Sequence, residues 1–190
     1  METRNQLFSA ASKAGLIIGA AGIILFILMY VSGFKPVGFM LPIFILLIGI
    51  ALNVLILVMM LKKYCESQDG LISFVNAFLF GLTALVVSSF VVAIFNYLFI
   101  NYFDPDYMKN IMMAQKDWME NYLSGKASEE QIQAALDGID QQTANSGSIL
   151  QALKGLGGNI IFGGIIALIV GAIMKKNPDI FDNANSGGVI

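Results

Sequence analysis

Hydrophobic and polar residues fall into long separate blocks along this chain. Apolar runs cover residues 14–32, 39–61, 71–103 and 156–174, and none contains Asp, Glu, Lys, Arg or His. About 20 helical residues cross a hydrocarbon core of about 30 Å, so each run is long enough. Inside hydrocarbon, backbone N–H and C=O groups must be satisfied within the segment, which selects helices. The pattern predicts an all-α integral membrane protein, a bundle of four transmembrane helices forming one membrane domain. Arg4 and Lys13 give the first run a basic leader like that of a secretory signal. Its apolar stretch exceeds the roughly 7–15 residues of such signals, and it is read as a retained helix.

The periodicity changes between the third and fourth runs. Met108, Ile111, Met112, Gln115, Trp118, Met119 and Tyr122 follow helical spacing, and all but Gln115 are apolar. Asp104-Pro105-Asp106 reads as the start of that helix, with Asp104 as N-cap and Pro105 in the first turn; Gly125 is its stop. Ser128-Glu129-Glu130-Gln131 has the form of a capping box, and Ile132, Leu136 and Ile139 make a second, weaker stripe. Thr143 to Ser148 reads as a turn or joint. The connection 104–155 is therefore expected to hold two short amphipathic helices at the outer membrane–water boundary. The third run is longer than a span needs. It is expected to tilt or to project, holding Asn96, Tyr97, Asn101 and Tyr102 at the interface.

Charge orients this arrangement. Arg4, Lys13, Lys62, Lys63, Lys175 and Lys176 border the runs on one side; Lys35 and the acid-rich 104–155 connection lie on the other. Lysine and arginine near span ends mark the cytoplasmic face, so both termini are expected in the cytoplasm of a bacterial inner membrane. The totals on the two sides are nearly equal, and the clustering beside the runs carries the argument. The chain is 57% hydrophobic and 13% charged, against about 25% charged for soluble proteins. A net charge of −2 without a basic cluster does not suggest nucleic acid.

Chemistry is sparse. Histidine is absent and Cys65 is alone, which removes the commonest general base and any thiolate cluster. No catalytic residue, metal or cofactor is expected. Small residues recur at four-residue spacing: Ala11, Gly15 and Gly19 in the first run, and Gly163, Ala167 and Gly171 in the fourth, extended back through Asn159 and Gly155. Such faces let membrane helices approach closely. They serve packing within the bundle or the docking of a partner helix, and the former is preferred. Asn53, mid-way along the second run, is read as an interhelical hydrogen bond. Lys62, Lys63, Glu66 and Asp69, in the segment before the third run, are candidates for contact with a lipid head group; the plainer reading is orientation by positive charge and an Asp-Gly turn. Asp104 and Asp106 suggest a cation site only until helix capping accounts for both.

The chain resembles the small Bacteroidetes membrane proteins grouped as domain of unknown function 4199. The resemblance rests on Lys63-Tyr64, Gly70, Ser73-Phe74, Ala77-Phe78 and Gly81. It continues through Asp104-Pro105-Asp106-Tyr107, Gly125 and a Gly-rich last run ending Lys175-Lys176. It implies an inner-membrane protein and brings no catalytic residues with it. Members of the group often neighbour polyprenyl-phosphate-type glycosyltransferases in genomes, an association rather than a mechanism. The expected function is a non-catalytic accessory or assembly partner of other membrane proteins, or a homo-oligomer. A small transporter or lipid-handling protein is the alternative. The lack of a membrane-embedded carboxylate counts against proton-coupled export. An interfacial enzyme using Glu66, Asp69 or the outer acids ranks last.

Overall fold

The structure is a computed structural model that describes residues 2–67, 72–145 and 148–175. It is helical, with α1 (Glu2–Val31), α2 (Met40–Glu66), α3 (Phe74–Leu98) continued by a π-helical turn (Phe99–Phe103), α4 (Tyr107–Leu123), α5 (Glu129–Asn145) and α6 (Ile149–Met174). Four helical stretches are long and apolar enough to cross a membrane: Arg4–Val31, Met40–Glu66, Phe74–Phe103 and Ile149–Met174.

Local signals explain where these helices begin and end. Ser73 Oγ accepts the Asn76 N–H at 3.3 Å and caps α3; Ser148 Oγ accepts the Gln151 N–H at 3.2 Å and caps α6. Each satisfies one of the orphan donors of a helix N-terminus. After α1, Gly33 at φ 69° sits where the Phe34 N–H reaches back to the Met29 carbonyl and the Gly33 N–H to Tyr30. That is the left-handed C-terminal stop that glycine favours.

Helix bounds exceed the charge-free runs in several places. α6 starts at Ile149 because Ser148 caps it, so Lys154 is helical although it precedes the apolar run. Lys62, Lys63 and Glu66, which follow the second apolar run, are still helical, α2 ending at Glu66. Leu57, Leu61 and Cys65 are buried at four-residue intervals, so one face of α2 stays packed while Lys62, Lys63 and Glu66 point outward. Thr143 to Asn145, expected in a joint, likewise continue α5, and Ser146 and Gly147 lie outside the described residues.

The contacts divide into two compact units, residues 1–18, 53–88 and 160–190, and residues 19–52 and 89–159. In the first unit, α3 is packed by small residues. A Cβ at Gly81 would lie 3.1 Å from Ala167 Cβ, one at Gly163 would lie 3.0 Å from Leu85 Cβ, and one at Gly171 would lie 3.1 Å from the Phe78 nitrogen. α6 therefore lies close along the Phe78–Gly81–Leu85 face of α3. α1 approaches the same helix through Gly15, where a Cβ would collide with the Ala84 carbonyl oxygen and Val87. Around these contacts Ala11, Ala14, Leu57, Leu61, Phe80 and Ala84 are fully buried. Membrane helices gain by close van der Waals packing rather than by hydrophobic burial, and the small side chains make that packing possible.

The second unit is built on aromatic rings. Phe26 and Tyr30 of α1 meet Phe99 edge-on, with centroids 4.9 and 5.0 Å away. Tyr107, at the start of α4, meets Phe26, Tyr30 and Phe99 at 5.5–5.6 Å in the same manner. Edge-to-face pairs at such separations each add about 0.5–1.5 kcal/mol beyond the area they bury. α4 and α5 pack as a helical hairpin, tied by the Lys116–Asp140 ion pair.

Candidate functional site

Among the described residues, polar chemistry gathers in the second unit, around the turn that joins α1 to α2. The turn is held from α4. The Gly38 N–H donates to Gln115 Oε1 at 2.7 Å, which gives a reason for the one polar residue in the apolar stripe. Gly38 adopts φ 87°, and a Cβ there would sit 3.0–3.2 Å from the Trp118 indole, so glycine is required on both counts. Phe39, Trp118 and Tyr122 form a ring cluster with centroid separations of 4.9–5.6 Å, and Lys126 Nζ lies 4.0 Å above the Tyr122 ring.

The Tyr30 hydroxyl donates to Asp104 Oδ2 at 3.0 Å, across 74 positions of sequence. This explains a difference from the sequence reading. Asp104 does not cap α4: the N-cap is Asp106, without a side-chain capping bond. Asp104 instead closes the π turn, its N–H bonding the Phe99 carbonyl at 2.9 Å, and its carboxylate is turned to Tyr30. Burial, and then the Asp104 charge, raise the Tyr107 phenol above its ordinary pKa.

Two concavities have Tyr30 in their lining. One is an open groove of about 440 Å³ walled by Ile27, Val31, Phe95, Leu98, Tyr102 and Phe103, with Phe99 and Tyr30 also lining it. The other is a pocket of about 170 Å³ lined by Tyr30, Lys35, Asp104, Tyr107 and Asn110, closed by Gly33, Phe34 and Ile111. The first offers apolar and aromatic surface; the second offers a cation, a carboxylate, two phenols and an amide. In the same unit a further crevice of about 170 Å³ presents uncharged groups from Asn96, Tyr97, Ser148, Gln151 and Asn159.

The residues singled out from sequence lie elsewhere. Gly15, Gly163, Ala167 and Gly171 are buried in the first unit, and Gly19 is buried on α1. Asn53 is half-buried on α2. Lys62, Lys63 and Glu66 are exposed on the last turns of α2 and are not gathered with any site; Asp69 lies outside the described residues. Among the described residues no group of His, Cys, Asp and Glu is arranged to hold a metal. Sequence reasoning missed Tyr30, Lys35, Tyr107 and Asn110. Only the Asp104–Tyr107 motif pointed at this corner, and its partner on α1 left no local trace.

No curated protein and no solved structure matches the chain. Residues 13–176 match the family described as protein of unknown function (DUF4199). With most of its length matched, the chain belongs to that family.

Proposed function

We propose that this chain is a non-catalytic accessory or assembly protein of a bacterial inner membrane, binding other membrane proteins or a second copy of itself. One observation carries the reading. The glycines of the first unit that touch neighbouring helices stand beside others with nothing near them. Gly155, Gly157, Gly158 and Gly164 of α6 have no atom within 4 Å of a would-be Cβ. A helix-interior glycine costs about 0.5–1 kcal/mol relative to alanine, and among the described residues a Cβ at these four would meet no neighbouring atom. A partner helix approaching α6 would supply it. The absence of histidine agrees with a non-catalytic role.

The lysines bordering the runs support an orientation with both termini in the cytoplasm, and the family resemblance supports a Bacteroidetes inner membrane. The second reading, a small transporter or lipid-handling protein, draws on the groove beside Tyr30 and on the genomic company of polyprenyl-phosphate glycosyltransferases.

Purification of the full chain from native membranes in mild detergent tests the accessory role. We expect a stoichiometric partner or a dimer, lost in the Gly157→Leu and Gly164→Leu variants, at positions where a Cβ meets nothing within 4 Å among the described residues. Repeated recovery of a lone monomer would overturn the proposal.

A further inference from the structure

We propose that the groove and pocket that share Tyr30 form a binding site for one zwitterionic phospholipid with a primary ammonium head group, of the phosphatidylethanolamine class. The argument begins with continuity. The groove is lined by apolar and aromatic side chains, and several of its walls are strongly exposed: Val31, Tyr102 and Phe103 are each more than 70% accessible. In a chain with four membrane-crossing helices, such a surface meets acyl chains. The polar pocket shares Tyr30 with the groove as a lining residue. Apolar wall leading to polar pocket is the outline of a lipid, chain first and head group last.

Charge then selects the head group. Lys35 and Asp104 both line the pocket, and among the described residues neither is in an ion pair, the recorded pair being Lys116–Asp140. One ammonium and one carboxylate in the same small pocket complement a phosphate and an ammonium on the same ligand. An anionic phosphatidylglycerol would satisfy Lys35 and be repelled by Asp104. The Tyr30 hydroxyl occupies one lone pair of Asp104 Oδ2 and leaves the carboxylate able to accept from an N–H donor. A trimethylammonium has no such hydrogen, so phosphatidylcholine loses that bond. Asn110 and Tyr107 add polar atoms that can donate to phosphate oxygens. Tyrosines here also match the membrane–water boundary, where amphipathic rings settle.

The test uses the purified, delipidated full chain in mild detergent. Dioleoyl phosphatidylethanolamine, dioleoyl phosphatidylcholine and dioleoyl phosphatidylglycerol are titrated separately, and bound lipid is read by native mass spectrometry. We expect phosphatidylethanolamine to be retained at the lowest lipid concentration. Lys35→Gln and Asp104→Asn should each weaken it by about tenfold, the scale of one charge-assisted contact. Asp104→Asn should also raise phosphatidylglycerol relative to wild type, since the repulsion is removed. Asparagine still accepts the Tyr30 hydroxyl, and Lys35 is exposed, so both variants should melt like wild type without lipid. Val31→Trp, at an exposed groove wall, should weaken lipid retention while leaving the pocket intact. Equal binding of the three lipids by wild type would overturn the site. So would binding of phosphatidylethanolamine unchanged by both charge variants, or unchanged by Val31→Trp.

Discussion

Gly15 marks the closest approach between α1 and α3. A methyl group there would enter the Ala84 carbonyl oxygen and crowd Val87, and a backbone atom cannot rotate aside as a flexible side chain would. Gly15→Ala should therefore push the two helices apart, at a cost of about 1–3 kcal/mol typical of overpacking. Gly164→Ala is the matched control, because nothing lies within 4 Å of its would-be Cβ; there the better helix propensity of alanine should leave stability unchanged or raised by up to about 1 kcal/mol. Thermal melts in one detergent compare them, and equal melting of the two variants would contradict the close approach. Tyr107 gives the pH dependence. Its phenol is raised above 10.0 by burial and by the Asp104 charge, so the folded chain keeps a proton that the unfolded chain releases. The sign follows from linkage: this contribution to stability is complete below pH 10.0 and is lost as pH rises through the folded value. Tyr107→Phe should flatten that part of the alkaline stability curve, measured in detergent from neutral pH upward. Both residues show how far composition goes. A glycine at four-residue spacing advertises close packing, but which backbone it meets depends on helices distant in sequence.

Among the elements, the α4–α5 hairpin was the most legible. The capping box between Ser128 and Gln131 forms in both directions: Ser128 N–H bonds Gln131 Oε1 at 3.1 Å and Gln131 N–H bonds Ser128 Oγ at 3.3 Å. Gly125 adopts φ 73° as the stop of α4. These features depend on neighbours within four residues, which is why the pattern reveals them. At the start of α4 the Asp104 carboxylate accepts from Tyr30, 74 positions away, and the N-cap is Asp106; no local rule signals that long-range partner. The end of α2 escaped for a related reason: the lysines and Glu66 interrupt the apolar run, yet they are good helix formers on a helix whose other face is buried. α4 holds the α1–α2 turn through Gln115. Gln115→Leu would improve the apolar stripe of α4 and orphan the Gly38 N–H. An unpaired donor in a buried setting costs about 1–3 kcal/mol, and Gly38 is buried. The net expectation is destabilisation of about 1 kcal/mol, with faster amide hydrogen exchange at Gly38. Exchange protection equal to wild type at that amide would refute the bond.

For the whole molecule, the expected orientation puts both termini on the cytoplasmic side and the connection 104–155 on the other. The membrane-crossing helices themselves were readable from composition, because hydrocarbon imposes one solution on an uncharged run. The orientation rests on a smaller asymmetry, the cations beside the spans. Cysteine labelling in intact inner-membrane spheroplasts decides it. The chain holds one native cysteine, Cys65, and it is buried on α2, so background labelling should be low. Ser124 is exposed just after α4, and Ser67 is exposed just after α2. Ser124→Cys should react with a membrane-impermeant maleimide added from outside, and Ser67→Cys should react only after the membrane is opened. The two positions lie on opposite sides of the third crossing, so each controls for the other: a reversed orientation exchanges their labelling, and an uncrossed third helix makes them alike. The expected orientation also sets the environment of the Tyr30 site. In that orientation the Tyr30 site and Lys35 would face the outer leaflet, and Lys62 and Lys63 the cytoplasm. Exchanged labelling would move the Tyr30 pocket to the cytoplasmic leaflet and leave its lipid chemistry intact, because that chemistry depends on groove and charges within one unit.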